Sequence, residues 1–356
     1  MFFRKVYQHF ERKHNYLLVF VLSFYSLIAI LSFSSSITLL SSYSQQENQQ
    51  QQEEYILIRE WSSGNVSASQ FSQPADVAID LKDNVFVTDF TARSDAVKKF
   101  NQNGTFISSW GPLGYGQGSF VSASDIATDA QDSVYVVDGN NPDQAVQKFT
   151  NNGTFITAWG SYGFGDGQFI DPIGISVDSK GNVYVSDFGA NNHIVKFDSN
   201  GSLITEWGNT GNGNGQFLSP LAIANDLVDN VYVVDYGNDR IQKFQNNGEF
   251  IKTWGTSGNG AGEFQEPEGI ASDSKGNIYV ADTNNHRIQK FDNNGNFITM
   301  WGSEGTGDYQ FIEPTSVTLD SQDNLYVVDM GLKKLKFLLY LLNNCETRNT
   351  IIGFLY

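Results

Sequence analysis

Residues 264–302 read FQEPEGIASDSKGNIYVADTNNHRIQKFDNNGNFITMWG, and the chain writes variants of this text from Tyr55 to Phe337. Four positions hold the register. An Asp closing a short apolar run recurs as Asp89, Asp138, Asp187, Asp235, Asp282 and Asp329, and an earlier Asp as Asp80, Asp129, Asp178, Asp226, Asp273 and Asp320. A Lys-Phe pair follows, with its lysines at 99, 148, 196, 243, 290 and 336. The chain's six tryptophans, at 61, 110, 159, 207, 254 and 301, all fall on the pattern, 47 to 49 residues apart. Self-similarity at a period near 50 signals a propeller or a solenoid.

Within one unit the strand signals are short. Gly269–Asp273 is a first apolar run, and Ser274-Lys275-Gly276 turns the chain. Asn277–Asp282 is a second run, rich in β-branched and aromatic residues, and Arg287–Phe291 is a third. Asn294-Gly295 then gives the strongest short hairpin cue before Asn296–Trp301. No stretch of the repeat holds apolar residues at helical spacing for long enough to make a helix. The expectation is an all-β, six-bladed β-propeller of four-stranded antiparallel blades, preceded by an N-terminal transmembrane helix.

The unit resembles the NHL repeat, the blade of NHL-type six-bladed propellers. The resemblance is carried by Pro267, Gly269-Ile270-Ala271, the run from Gly276 to Asp282, the run from Asn285 to Phe291, and Trp301-Gly302. It implies fold strongly and function weakly, since it spans binding modules for RNA or protein as well as lyases and lactonases.

The ends of the repeat region are out of phase. Tyr55–Trp61, YILIREW, matches the fourth strand of a unit, and Trp61 stands 49 residues before Trp110. The last unit has three strands ending at Lys336-Phe337, followed by LLYLLNNC in place of a fourth. One spare strand and one missing strand predict ring closure, with the N-terminal strand completing the blade begun by Phe311. Two open sheet edges are the alternative. Ten residues separate each Trp from the next unit's Phe, from Trp61–Phe71 to Trp301–Phe311, and most of these links are Gly-rich. They read as crossings between blades. A dinucleotide-binding fingerprint would need a following helix, which the repeat lacks.

Outside the repeat, residues 1–15 carry Arg4, Lys5, Arg12 and Lys13, and residues 16–40 then run 25 positions without a charge. That length crosses a hydrocarbon core of ~30 Å as a helix. The preceding cations place residues 1–15 in the cytoplasm and the remainder outside. A secreted chain is the alternative, with a cut after Ser44. Residues 41–54 form a Gln-rich linker with too few apolar groups to fold alone. The propeller spans 55–337, and residues 338–356 are a divergent tail. A single Cys, Cys345, excludes an intrachain disulfide, and a propeller of this size needs none. Net charge is −17, and residues 45–356 alone hold 18 Lys+Arg against 38 Asp+Glu. Such a surface repels phosphate backbones, which excludes nucleic acid as the expected partner.

Three carboxylates depart from the repeat near the expected channel mouth. Two positions past the Pro the repeat prefers small residues, Gly174, Ala222, Gly269 and Ser316, where the first two blades carry Asp76 and Asp125. The fifth blade adds Glu268 one position earlier. Adjacent blades would make Asp76 and Asp125 neighbours, and close carboxylates repel unless they share a proton or a cation. A hard cation such as Ca²⁺, with Asp76, Asp125 and Glu268 as metal ligands, is one expectation. The other is that each Asp caps its own loop in solvent. The twelve repeated aspartates are read as turn and cap residues, and the repeated lysines as blade-packing groups. His193 and His286 both occupy the Asn-Asn-His turn of the repeat. The lyases that the fold resembles hold zinc or act through histidines from several blades, and two signature histidines do not supply that set.

Four sequons, at Asn65, Asn103, Asn152 and Asn200, would accept glycans in an exported chain, but Asn-Gly is also what the hairpin needs. The residues point to an extracytoplasmic, membrane-tethered scaffold for an extracellular protein or ligand. The alternatives are a lactonase-like hydrolase or lyase with a divalent cation in the channel, and a structural envelope component.

Overall fold

The computed structural model describes residues 54–61, 70–90 and 95–341. Residues 1–53, including the expected span at 16–40, lie outside the described residues. Among the described residues no helix is long and apolar enough to cross a membrane. Residues 55–340 form one compact unit of six four-stranded sheets.

Each sheet is one blade with antiparallel neighbours. In the fifth the strands run Pro267–Ser272, Ile278–Asp282, Arg287–Phe291 and Phe297–Trp301, in that order from the inside outward. The other inner strands are Pro74–Ile79, Ala123–Thr128, Pro172–Val177, Pro220–Asn225 and Pro314–Leu319. Five of the six open on Pro, tolerated at the first residue of an edge strand. The inner strands neighbour one another around a closed ring. The second strands are rich in Val and Tyr and fully buried. Six apolar clusters form the core, each drawn from two neighbouring blades, so the core lies between blades rather than within them.

The repeated Lys and Trp fasten those interfaces. Lys99, Lys148, Lys196, Lys243 and Lys290 hold Nζ 3.5–3.9 Å from Asp80, Asp129, Asp178, Asp226 and Asp273. Each ammonium lies 4.8–5.0 Å from the centre of a Phe or Tyr ring in its own blade. Four of them donate to a carbonyl in the next blade's outer hairpin, as Lys196 does to Asn246 at 2.9 Å. The tryptophans reach the same hairpins: a Cβ on Gly104, Gly153, Gly201, Gly248 or Gly295 would collide with the indole of Trp61, Trp110, Trp159, Trp207 or Trp254. Glycine in the Asn-Gly turn therefore serves the positive φ of the hairpin and the approach of the neighbouring ring together.

The ring closes as the sequence predicts. Glu54–Trp61 is the outermost strand of the sixth blade, followed inward by Lys334–Leu341, Leu325–Asp329 and Pro314–Leu319. With no sixth hairpin for Trp301 to cover, Tyr55 takes its place, stacked on that indole at 5.3 Å and hydrogen bonded to Tyr279 Oη at 2.8 Å. Glu60 accepts from Lys334 at 2.5 Å and lies 3.4 Å from Lys336.

One sequence assignment shifts. Lys336 is not the sixth member of the lysine series. Tyr326 pairs with Phe337, whereas Tyr279 pairs with Lys290, so Phe337 fills the series position and Lys336 falls where the fifth blade has Gln289. The loop before this strand is as long as in the fifth blade, with Asp329 paired to Lys334 as Asp282 is to Arg287, so the Lys-Phe text itself stands one position earlier on the strand. Lys336 Nζ then donates to Gly307 and Gln310 carbonyls, much as Gln289 bridges Gly262 and Glu263. The strand continues past Phe337 to Leu341, and Leu338 is buried in the core.

Candidate functional site

The inner strands enclose a central cavity of about 470 Å³, within the range of small-molecule sites, ~300–1,000 Å³. Its wall is written by the third residue of each inner strand: Asp76, Asp125, Gly174, Ala222, Gly269 and Ser316. Small residues stand there for a steric reason. A Cβ on Gly269 would sit 2.7 Å from Thr315 O and from Ser316 Cα, and one on Gly174 would strike Leu221 O, because neighbouring inner strands come into backbone contact.

The first two blades bridge the same gap with carboxylates. Asp76 Oδ2 accepts from Ile126 N at 3.0 Å, and Asp125 Oδ2 accepts from Ile175 N at 2.9 Å. Ser316 Oγ donates to Asp76 Oδ1, so the sixth, first, second and third blades are tied in series at this level. Neither Asp caps its own loop. Both stand in the channel wall and serve the next blade. Burial, and then the adjacent Asp76 carboxyl, hold Asp125 well above the ordinary Asp range.

Glu268 occupies the second position of the fifth inner strand, where the other blades carry Ala75, Ser124, Ile173, Leu221 and Thr315. It lines the same cavity, and its carboxyl makes no hydrogen bond to any described residue. Burial, then Glu313 and Glu266, push it up to about 8. Among the described residues no group of three or more His, Cys, Asp or Glu side chains is placed to hold a metal ion. In a ring of six, the fifth blade faces the second, so Glu268 and Asp125 stand on opposite walls rather than around one point.

The repeated acids prove to be framework. Asp282 is fully buried and accepts from Gln265 N at 2.8 Å, Arg287 Nε at 2.7 Å and Gln289 Nε2 at 2.9 Å. Asp273 accepts from Lys275 N, Asn277 N and the Tyr279 hydroxyl at 2.7–3.1 Å. The second blade has no cation against its strand-end Asp138, and burial raises that carboxyl. His286 uses Nδ1 on Ile312 O at 2.7 Å, and His193 Nε2 lies 3.7 Å from Asp187. Neither histidine lines the cavity.

Two features lie beyond the sequence reading. Deeper in the cavity wall, Ser176 Oγ and both polar atoms of the Asn225 amide are buried without hydrogen-bond partners, and Ser176 is only 7% exposed. On the surface, Leu113 with Tyr115 and Tyr162 with Phe164, in two adjacent links, are 63–75% exposed. Later links carry Thr210 with Asn212, Ser257 with Asn259 and Glu304 with Thr306 at these places. Comparing link with link would have shown the apolar pair, but nothing in a single sequence says that Ser176 lacks a partner. None of the six links contains Lys or Arg.

Comparison with known proteins locates this architecture. The NHL repeat model matches residues 169–197 and 264–291. No curated protein matches the sequence. Among solved structures, virginiamycin B lyase from Staphylococcus aureus superposes with a TM-score of 0.55 at 16% identity, covering 81% of this chain and 88% of its own. A gluconolactonase from Xanthomonas campestris gives 0.58 at 14% identity, covering 76% and 87%. An auxiliary nutrient binding protein from Bacteroides thetaiotaomicron gives 0.60 at 13%, covering 81% and 77%. At these identities the likeness is one of fold. The six closed blades make the chain a β-propeller, and its third and fifth blades carry NHL repeats.

Proposed function

We propose that the chain is an extracytoplasmic, membrane-tethered binding propeller that takes a ligand into its central channel. The observation that carries this reading is Glu268: an acid without a hydrogen-bond partner, set in the wall of a roughly 470 Å³ cavity at a position where the other blades carry no charge. Departures from a repeat with no gain in packing are where function is to be sought. Solved propellers of this fold include a nutrient binding protein, which supports a binding role, and lyase and lactonase neighbours, which keep an enzyme as the alternative. The unpaired acidity and the links without cations support a partner other than nucleic acid.

The test is a thermal-shift screen of small molecules on the chain and on Ala75→Phe. Ala75 lines the mouth at a position where Ile173 and Leu221 are accommodated in other blades, so a larger side chain fits the ring and narrows the opening. Compounds that raise the melting temperature of the parent should lose their effect on the variant. A shift that survives in the variant would move the site elsewhere. One stoichiometric, tightly held cation found by elemental analysis would favour the lactonase-like alternative. Protease added to intact cells should cut within residues 41–54, and cleavage seen only after lysis would place the propeller inside.

A further inference from the structure

We propose that the channel ligand is a small organic dication, an alkane diamine or polyamine whose two ammonium groups are received by the Asp76–Asp125 pair on one side and by Glu268 on the other. This rests on the channel being a binding site. Of the side chains lining the cavity, three are acids and none is Lys, Arg or His. An anion would find no cation there to pair with, and a neutral ligand would leave the carboxyls as it found them. A single metal ion needs ligands converging on one point, and the described residues offer no such set. Acids on opposite walls suit two positive charges held apart.

The wall between them suits a hydrocarbon. Ala75, Val77, Ile173, Leu221 and Ala222 line the same cavity, a surface on which methylene groups lie without cost. The acids have capacity to spare. Each Asp76 and Asp125 oxygen accepts one hydrogen bond, and an ionised carboxylate offers about four acceptor sites. Glu268 accepts none, and Ser176, more than nine-tenths buried and with its hydroxyl unpartnered, stands in the wall of the same cavity. The charged groups facing Glu268 among the described residues are Glu313 and Glu266, both acids, so no described cation competes for its negative form. At Glu268 a bound ammonium takes the place of the proton, so binding releases a proton and tightens as pH rises toward 8.

The experiment is calorimetric titration of the full chain in detergent with 1,4-diaminobutane, 1,6-diaminohexane, butylamine and CaCl₂, in two buffers of different ionisation enthalpy. One diamine should bind at least about tenfold more tightly than butylamine, the worth of one further charge-assisted hydrogen bond. Its binding should release protons, and Glu268→Gln should reduce it to the butylamine level while leaving butylamine unchanged. Glu268 makes no hydrogen bond, so this variant keeps the fold. Equal binding of diamine and monoamine, indifference to Glu268→Gln, or a stoichiometric Ca²⁺ isotherm with no diamine binding would overturn the proposal. If neutral or anionic compounds bind instead and lose their binding in Ala75→Phe, the dication falls and the channel reading stands. If Ala75→Phe affects no binding of any kind, both fall.

Discussion

The hairpin glycines provide the sharpest test of how the blades are fastened. Gly295 and Gly215 have nearly the same backbone, φ +73° and φ +75°. Alanine at either place incurs the left-handed penalty of ~1–2 kcal/mol. Only at Gly295 does the new methyl meet something: Trp254 Cδ2 lies 2.5 Å from where the Cβ would be, whereas nothing lies within 4 Å at Gly215. Displacing a packed ring adds ~1–3 kcal/mol. Gly215→Ala should therefore destabilise by ~1–2 kcal/mol and Gly295→Ala by ~2–5 kcal/mol. At roughly 2–4 °C per kcal/mol, differential scanning calorimetry should separate the two melting temperatures by at least about 2 °C. In a Trp254→Ala background the gap should close, because the ring that causes it is gone. Equal melting of the two single variants would show that the Trp–Gly contact does not hold neighbouring blades together.

Three further outcomes follow from the same contacts. Asp282→Ala strands the buried Arg287 guanidinium and should cost ~3–5 kcal/mol, with partial recovery in Asp282→Ala/Arg287→Met; a loss no larger than that of Asp198→Ala, in an outer hairpin turn, would refute the framework role. A chain beginning at Ser62 lacks the outer strand of the sixth blade and the buried Trp61, and it should melt well below one beginning at Gln45, by an amount comparable to truncating a core aromatic, ~3–5 kcal/mol; equal melting would mean that closure is dispensable. Glu268 is raised from 4.5 to about 8 on folding, so the folded state holds its proton more tightly and stability falls as pH climbs through that interval. Glu268→Gln should be more stable than the parent at pH 8.5 and no different at pH 4, and parallel stability–pH curves would contradict the burial of that carboxyl.

The architecture was legible because each blade repeats its own reasons. Tyr55–Trp61 could be assigned to the last blade from phase alone, since Trp61 falls on the tryptophan period and the sixth unit lacks a fourth strand. Lys336 was misplaced because Lys-Phe is a two-letter motif, and in the sixth blade the same two letters recur one position earlier on a strand whose pairing is unchanged. Asp76 and Asp125 stood out as exceptions to a small-residue rule and Glu268 as a charge one position earlier, and the structure supplies the rule's cause in the backbone contacts at Gly174 and Gly269. What the pattern could not carry was partnership. That Asp125 reaches Ile175 N while Glu268 reaches nothing depends on the radius of the ring, which no single strand encodes.

The central claim is that one channel, not six equivalent blade interfaces, is the binding site. It is tested most directly by the stoichiometry of the strongest small-molecule ligand, titrated calorimetrically into the parent chain and into Ala75→Phe. One equivalent per chain, lost in the variant, is the predicted result. Several equivalents per chain, or one that persists unchanged in Ala75→Phe, would place binding on the repeated outer surface and contradict the account.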